Sequence, residues 1–282
     1  MEEDSCREVS DRGHLIVWRT DRLGMPLIET VTGPDLRTPD EVEEAILLIG
    51  RVCRSTGHVR VGMGASRQDV NVSVAGGRRV EIKGVPKAGM APALVHGEAV
   101  RQVNLLALRD ELHSRGLREA KDIQIQDEDV TELLADSQLD HFRAAAWQDE
   151  LEARAAEPGF DLERGRGDFC VRAVALRGLA RTVDWPTQPD LTFAHELAGR
   201  IRVIACLDQQ PTFFHDTQWP DYSGSEQELD ELRNHLGCGD DDALIVVWGA
   251  ADDTVTAANE MVWPPSVTVA SLPEVLNALM CS

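Results

Sequence analysis

The sequence predicts an α+β fold built on antiparallel strands. Two segments within residues 68–83 alternate apolar and polar residues, which is the period typical of β-strands. A helix with a clear start signal precedes them, and a second helix is predicted over residues 97–115. Residues 165–282 then alternate single strands with single helices, a pattern typical of an α+β module rather than of repeated βαβ units.

The first helix has a complete start signal. Thr38 is the predicted N-cap, Pro39 suits the first helical position, and Glu41 completes a capping box. Gly57 is the predicted stop, because a helix commonly ends at a glycine. The apolar residues between these ends have helical spacing: Val42, Ala45, Ile46, Ile49 and Cys53.

The two alternating segments predict a β-hairpin joined through Gly76 and Gly77. A common apolar face requires Val74 to pair with Val80 and Val72 with Ile82, which predicts a three-residue loop. The opposite face would then carry the polar residues of both strands: Asp69, Asn71, Ser73, Glu81 and Lys83.

The later elements follow from similar patterns. Residues 117–164 are strongly charged, with a helix predicted around residues 140–155, and we interpret them as a connector. Strands are predicted over residues 170–176 and 243–247, and a helix over residues 193–204. A second capping box, formed by Ser225 and Glu228, predicts a helix that ends at Gly237.

The chain is strongly acidic. Its 282 residues include 49 acidic and 28 basic side chains, a net charge of −21, and only three lysines. General nucleic-acid binders are usually basic, but molar salt would screen repulsion beyond ~3 Å, so a salt-adapted host and an Arg-rich host both remain open. Apolar runs are far shorter than the ~20 residues of a membrane helix, and the acidic start is unlike a signal peptide. We therefore expect a cytoplasmic protein with no membrane partner.

Several kinds of active site are disfavoured by the sequence. It contains no phosphate-binding loop, and Gly62 and Gly64 precede a strand, so they indicate a turn rather than a dinucleotide site. The six cysteines are scattered, without the paired spacing of a zinc site, and the eight histidines are dispersed. We interpret the cysteines as free thiols.

Oxygen ligands are the remaining candidates for chemistry. Asp69, Asn71 and Glu81 share one predicted sheet face, while Glu29 and the acidic residues 2–4 lie upstream. Carboxylate and amide oxygens suit a hard cation such as Mg²⁺. The alternative is an ordinary solvated face on an acidic protein.

Three runs resemble the catalytic signature of the GatB/GatE family, the transamidating subunits of aminoacyl-tRNA amidotransferases. They are residues 21–35 (DRLGMPLIETVTGPD), 67–74 (RQDVNVSV) and 80–84 (VEIKG). Their wording is more similar to the archaeal E subunit than to its bacterial relative. Residues 1–5 are similar to the acidic motif that lies upstream in the family.

The later part of the chain carries a second resemblance. Residues 165–262 are similar to the domain that the E subunit shares with bacterial-type aspartyl-tRNA synthetases, through Phe214, His215 and Asp216 and through the strand that ends at Val247.

These resemblances imply a domain organisation. Residues 1–116 would form a partial antiparallel-sheet catalytic cradle with flanking helices, residues 117–164 a helical connector, and residues 165–262 a second small α+β domain. Residues 263–282 remain an unassigned tail. We expect the chain to be truncated at both ends relative to the family, without the segment that precedes the acidic motif and without the tRNA-gripping domains. An incomplete cradle would leave apolar strand edges unpaired.

The family resemblance also implies an activity, that of a ligase of the glutaminyl-tRNA synthase (glutamine-hydrolysing) type. In the family, a D-type partner subunit releases ammonia from an amide donor. The transamidating subunit uses Mg²⁺ and ATP to phosphorylate the glutamate of Glu-tRNA(Gln), and ammonia then displaces the phosphate to give Gln-tRNA(Gln).

By motif match, three carboxylates are the implied metal ligands: Glu3, Glu29 and Asp69. Two basic residues, Arg67 and Lys83, would meet the phosphate oxygens of ATP. The implied catalytic set is Asp69, Asn71, Glu81, Lys83 and Arg67. Two other interpretations stay open: an inactive remnant that acts only as a tRNA- or protein-binding module, and an unrelated acidic scaffold.

Overall fold

The structure is a computed structural model that describes residues 2–3, 6–12, 15–21, 23–24, 26–62, 65–154, 169–204 and 213–250. Within them the predicted α+β class is confirmed, and every strand pairing is antiparallel. The described helices are α1 (Pro39–Ser55), α2 (Ala91–Ser114), α3 (Ala144–Arg154), α4 (Phe193–Ile204) and α5 (Ser225–His235).

The strands form one four-stranded sheet and several two-stranded ones. The first six are β1 (Glu2–Glu3), β2 (Arg7–Arg12), β3 (Leu15–Arg19), β4 (Pro26–Leu27), β5 (Gln68–Val72) and β6 (Val80–Val85). The remaining six are β7 (Ile125–Asp129), β8 (Phe169–Leu176), β9 (Pro186–Gln188), β10 (Leu191–Thr192), β11 (Phe213–His215) and β12 (Ala243–Ala250). The four-stranded sheet has the order β11-β12-β8-β7, and the other pairs are β1 with β4, β2 with β3, β5 with β6 and β9 with β10.

The start signal predicted for α1 is confirmed. The Thr38 hydroxyl accepts a hydrogen bond from the Glu41 amide at 3.3 Å, and the Glu41 carboxylate accepts one from the Thr38 amide at 3.0 Å. Backbone hydrogen bonds from Arg37 and Thr38 lower the pKa of Glu41. The helix ends before Gly57, which has a φ of +71°, as a C-terminal glycine stop requires.

The four-stranded sheet has an apolar layer on each face. Strands β8 and β12 pair in register from Ala243–Leu176 to Ala250–Phe169, so successive side chains alternate between the layers. Val174 and Ile245 face a core completed by α2 and α4. Ala175 and Leu244 face the other core, which α5 covers. The predictions of two buried strands and of a helix over residues 193–204 are confirmed.

The region interpreted as a connector contains both a helix and a strand. Helix α3 lies within residues 140–155, while β7 pairs with β8 along residues 125–129. The three acidic side chains of β7 all have partners. Asp127 accepts from Arg172 Nε at 2.8 Å, and Glu128 Oε2 lies 2.9 Å from His235 Nε2. Asp129 Oδ1 accepts from the amide and hydroxyl of Thr131. Residues 125–129 thus supply an edge strand of the four-stranded sheet, which we call the central sheet.

The second predicted capping box is wrong. Helix α5 begins at Ser225, but its N-cap is Gly224, with a φ of +93° and no side-chain cap hydrogen bond. The Glu228 carboxylate instead accepts a hydrogen bond from the Tyr222 hydroxyl. Burial and this bond raise the pKa of Tyr222 to about 12. The helix therefore begins at the predicted residue, but a glycine with positive φ occupies the N-cap position and no side chain caps the first turn.

Helix α2 starts six residues earlier than predicted, at Ala91, with Pro92 in its first turn, and it ends before Gly116. It contributes to two cores. Leu105, Leu108 and Leu112 belong to the core under the central sheet. The N-terminal part packs on the β5–β6 hairpin, with Ala91 buried. Among the described residues, no helix is both long enough and apolar enough to cross a membrane.

The described residues between positions 2 and 36 pack less closely than the rest of the described chain. Their strands form two small sheets, β1 with β4 and β2 with β3. Many of their apolar side chains are exposed: Val9, Ile16, Val17, Trp18, Leu23, Leu27, Ile28, Val31 and Leu36.

His215 at the end of β11 gives the fold a testable pH dependence. It is only 5% exposed, and its Nδ1 lies 2.8 Å from the Thr217 hydroxyl. Burial lowers the pKa of His215 below its usual value, and the charges of Asp184 and Asp216 oppose that shift only in part. Because the unfolded chain binds this proton more readily, the contribution of His215 to stability is present above about pH 6.5 and is lost as the pH falls.

We therefore expect His215→Gln to flatten the dependence of unfolding free energy on pH between about 7 and 5. Urea unfolding at several pH values measures this slope for the parent and the variant. Parallel slopes for the parent and His215→Gln would contradict the expected role of burial.

Candidate functional site

The β5–β6 hairpin carries most of the predicted site, but its register differs from the prediction. Val72 pairs with Val80 and Val70 with Ile82, so the connecting segment is residues 73–79 rather than three residues. The predicted pairing of Val74 with Val80 is wrong, because the main chain of Val74 has other partners. Its N–H donates to the Gln102 side chain at 3.1 Å, and its C=O accepts from the Gly77 N–H at 3.0 Å.

The observed register differs from the predicted one by two residues, an even number. The apolar and polar side chains therefore lie on the two faces as predicted. Val70 and Val72 are 7% exposed and face α1 and α2, while the polar residues of both strands are exposed. A shift of one residue would have exchanged the two faces. The pattern of the sequence therefore determined the faces even though it did not determine the pairing.

A bulge in β6 gives the hairpin its local shape. Between the pairs Gln68–Val85 and Val70–Ile82, Asp69 alone lies opposite two residues, Lys83 and Gly84. Gly84 has a φ of +66°, a conformation that glycine adopts without a steric penalty. The extra residue reverses the alternation, so that Val85 is buried at 2% exposure. The Gly84 N–H donates to Asp69 Oδ1 at 2.7 Å, which orients this carboxylate.

The structure brings together most of the predicted catalytic residues on the outward face. Asn71 lies directly across from Glu81 in the ladder. The Lys83 ammonium lies 3.1 Å from Glu81 Oε2 and 3.8 Å from Asp69 Oδ2. Its hydrogen bond with Glu81 is the main reason that the pKa of Lys83 is raised, and Asp69 adds to the effect. This face therefore already holds one cation between two carboxylates.

The other predicted site residues are not joined to this cluster by the described contacts. Arg67 is exposed just before β5. Glu29 is exposed beyond β4, and the pairing of β1 with β4 brings the backbone of Glu3 opposite Pro26. The side chain of Glu3 lies outside the described part of the chain. Within that part, no three His, Cys, Asp or Glu side chains are grouped closely enough to hold a metal ion.

Sequence reasoning missed two residues that shape the site. Gly84 was visible only as the last residue of a motif, although a glycine that interrupts a strand pattern is a known signal of a bulge. Gln102 lies 28 residues from the Val74 amide that it binds, and nothing in its local sequence marks it.

Comparison with known proteins confirms the resemblance drawn from these motifs. The profile of the GatB/GatE catalytic domain matches residues 1–192. The chain is 37% identical over 266 residues to the E subunit of the Glutamyl-tRNA(Gln) amidotransferase of Methanopyrus kandleri, covering 93% of this chain and 38% of that one. It is 35% identical over 247 residues to the protein of the same name from Methanocaldococcus jannaschii, covering 88% of this chain and 35% of that one.

A third relative is similar to the same extent. The Saccharolobus solfataricus protein of the same name is 35% identical over 253 residues, covering 88% of this chain and 36% of the relative. The chain thus spans little more than a third of the length of the relatives it matches. The candidate site lies within the residues that match the family profile.

Substitution of two glycines, one in the β6 bulge and one in α1, should change the stability of the protein in opposite directions. A Cβ at Gly84 has open space within 4 Å, so the cost of Gly84→Ala is backbone strain alone, about 1–2 kcal/mol. In contrast, Gly50 lies within α1, where an added Cβ would meet only the flexible end of the Arg54 side chain. Gly50→Ala should stabilise the protein by roughly 0.5–1 kcal/mol, because alanine is the better helix former.

Urea unfolding of both variants and the parent checks the signs. A Gly84→Ala protein as stable as the parent would show that the chain does not need a left-handed residue at this point of β6.

Proposed function

This chain belongs to the GatB/GatE family, and from that we propose that it contributes the ATP- and Mg²⁺-dependent part of a Glu-tRNA(Gln) amidotransferase. In this proposal the glutamate carried by tRNA(Gln) is phosphorylated and then amidated with ammonia from a D-type subunit. The observation that carries the proposal is the exposed polar face of the hairpin, which lies inside the matched catalytic domain.

The reaction has two balanced steps. A γ-carboxylate oxygen of the glutamate bonds to the γ-phosphorus of ATP, the bond from that phosphorus to the β–γ bridging oxygen breaks, and ADP leaves. Ammonia then bonds to the carbonyl carbon of the acyl phosphate, phosphate departs with the electron pair of the C–O bond, and the nitrogen loses a proton. Both reactants of the first step are anionic, so positive charge fixed near the phosphates supplies most of the stabilisation.

The donor set of the hairpin fits Mg²⁺. This ion usually takes one or two protein carboxylates and completes its shell with water and substrate phosphates. Asp69 and Glu81 offer two carboxylates, with the Asn71 amide beside them, on a face open to solvent. When bound there, Mg²⁺ would neutralise phosphate charge. Glu29 and Glu3 are proposed as further ligands on the strength of the family motif alone.

Lys83 has the properties of a phosphate-binding residue. Its side chain is 73% exposed, and its ammonium contacts two surface carboxylates. A flexible lysine in this setting can exchange a carboxylate for a phosphate oxygen at little cost. Arg67, exposed at the start of β5, would add a planar fork of donors for the same phosphates.

Substitution of Lys83 should have opposite effects on two ligands. The Lys83 ammonium competes with any other cation for the carboxylates of Asp69 and Glu81. Lys83→Met should therefore increase the affinity for Mn²⁺ alone, used as a probe for Mg²⁺, by about three- to fivefold. The same variant should weaken binding of Mg²⁺–ATP, because a phosphate contact is lost. Mn²⁺ binding is followed by electron paramagnetic resonance and Mg²⁺–ATP binding by calorimetry.

Removal of a carboxylate charge from the hairpin should weaken the binding of both ligands. We expect Glu81→Gln and Asp69→Asn each to weaken both Mn²⁺ and Mg²⁺–ATP binding by about fivefold or more. Lys121 and Glu119 form a matched control, since their exposed pair has an N–O distance of 2.7 Å. Lys121→Met and Glu119→Gln should leave both affinities as in the parent.

A parent chain that binds neither Mn²⁺ nor Mg²⁺–ATP would overturn the proposal. If the chain binds Glu-tRNA(Gln), but no ATP-dependent Gln-tRNA(Gln) forms with a D-type subunit and an amide donor present, an inactive binding module is the better description.

A further inference from the structure

A buried glutamine side chain closes the turn end of the hairpin. Gln102 on α2 is 6% exposed, and both the nitrogen and the oxygen of its side-chain amide form hydrogen bonds. Nε2 donates to the Val72 carbonyl at 3.1 Å and to Glu98 Oε1 at 2.8 Å, and Oε1 accepts from the Val74 amide at 3.1 Å. A buried amide with these partners is strongly oriented, because breaking any bond would leave a buried polar group unsatisfied.

The Gln102 amide binds main-chain groups of β5 and of the turn at the end of the hairpin ladder. The ladder between β5 and β6 ends at the pair Val72–Val80. A primary amide offers the donor and the acceptor of a peptide group, so it can hold the Val72 carbonyl and the Val74 N–H as a strand does. The turn packs on the same group, since a Cβ at Gly77 would lie 2.7 Å from Gln102 Oε1.

The amide is held in turn by a row of charged side chains. Glu98 accepts from Gln102 and also from Arg101 Nη1, at 3.2 and 3.3 Å. Arg101 donates two parallel hydrogen bonds to Glu196 on α4, at 2.6 and 2.7 Å. Burial by itself would lower the pKa of Arg101, but the bonds to Glu196 and Glu98 leave it raised, so the guanidinium stays charged.

This row links the hairpin to the helix layer under the central sheet. The side chains of Arg101 and Glu196 are 16% and 15% exposed, which protects their pairing from solvent far better than that of a surface ion pair. Val72, whose carbonyl Gln102 binds, is adjacent in the chain to Asn71, and Asn71 lies across from Glu81 on the outward polar face.

We infer that Gln102 is a positioning residue for the polar face of the hairpin, and that Glu98, Arg101 and Glu196 fix its amide. The assignment of a role in catalysis rests on the proposed function, whereas the effect on the geometry of the hairpin does not. Gln102 touches no reacting group, so it acts through the strand that it holds.

Gln102→Met tests the inference, because methionine keeps the length of the side chain and removes its hydrogen bonds. By nuclear magnetic resonance, we expect the Val74 amide to exchange with solvent about tenfold faster or more. The Gly84 amide, which reports on the Asp69 carboxylate, should also exchange faster, and the affinity for Mn²⁺ should fall severalfold.

Gln138→Met is the matched control. Gln138 also donates from its amide to a distant backbone carbonyl, that of Ser223 at 2.9 Å, but it is exposed and not part of the hairpin. Its substitution should leave Val74, Gly84 and Mn²⁺ affinity as in the parent.

The link to α4 is tested by combining substitutions. Glu196→Gln should raise the Val74 exchange rate to a smaller extent than Gln102→Met. It weakens the pairing with Arg101 but leaves the hydrogen bond between Gln102 and the Val74 amide. The double variant should then exchange Val74 about as fast as Gln102→Met alone, since coupled residues are not additive. Because Gln138→Met should not change Val74 exchange in the parent, adding it to Glu196→Gln should leave the Val74 exchange rate as in Glu196→Gln alone.

The outcomes separate this inference from the proposed function. If the parent binds no Mn²⁺, the proposed function fails, while the exchange rates of Val74 and Gly84 still decide the role of Gln102. If Gln102→Met leaves the Val74 exchange rate unchanged, or changes it while Gly84 exchanges as in the parent, the inference is wrong.

Discussion

Helix α2 is buried on two sides, and the position of the candidate site depends on this double contact. An isolated two-stranded hairpin is at best marginally stable in water. The β5–β6 hairpin gains its stability from α1 and from the N-terminal half of α2, where Ala91 is fully buried. The second half of the same helix buries three leucines under the central sheet, each worth about 1.5–3 kcal/mol: Leu105, Leu108 and Leu112. A single rigid helix of 24 residues therefore fixes the hairpin relative to the sheet.

Placing two carboxylates on one exposed face of a hairpin has an electrostatic cost, and the chain meets it locally. Asp69 and Glu81 repel each other, and the Lys83 ammonium lies near both. The chain has three lysines and a net charge of −21, so a cation at this point is not a consequence of average composition. A metal ion with phosphates would displace the same ammonium that offsets this repulsion, which links the stability of the face to the chemistry proposed for it.

Local patterns predicted the elements well, while long-range hydrogen bonds decided the details. The α1 capping box and the stop at Gly57 depend on neighbouring residues, and both were predictable. The hairpin register was not, because the partner of the Val74 amide lies on α2. Ser225 satisfied a capping pattern, yet Gly224 before it took the N-cap position.

Strand β7 was hidden for a related reason. Its sequence, Ile-Gln-Asp-Glu-Asp, is too acidic to resemble a strand by itself. The Arg172 guanidinium pairs with Asp127, and His235 and Thr131 contact Glu128 and Asp129. None of these partners can be assigned to β7 from the sequence. Motif resemblance identified the family, since a motif records which residues are present, but the pairing of charges across a sheet is a property of the fold.

The same distinction explains why the motif carboxylates of the hairpin are well positioned by packing and Glu29 is not. A matched motif specifies the identity of a side chain, whereas its position depends on what the neighbouring residues bury. Asp69 and Glu81 alternate with Val70 and Ile82, whose packing against α1 and α2 holds the strand in place. The neighbours of Glu29 are Ile28 and Val31, which are 74% and 78% exposed, and β4 beside them is two residues long. Packing of the alternate residues therefore fixes the backbone positions of Asp69 and Glu81, whereas Glu29 lies in an exposed segment that no such packing holds within the described part of the chain.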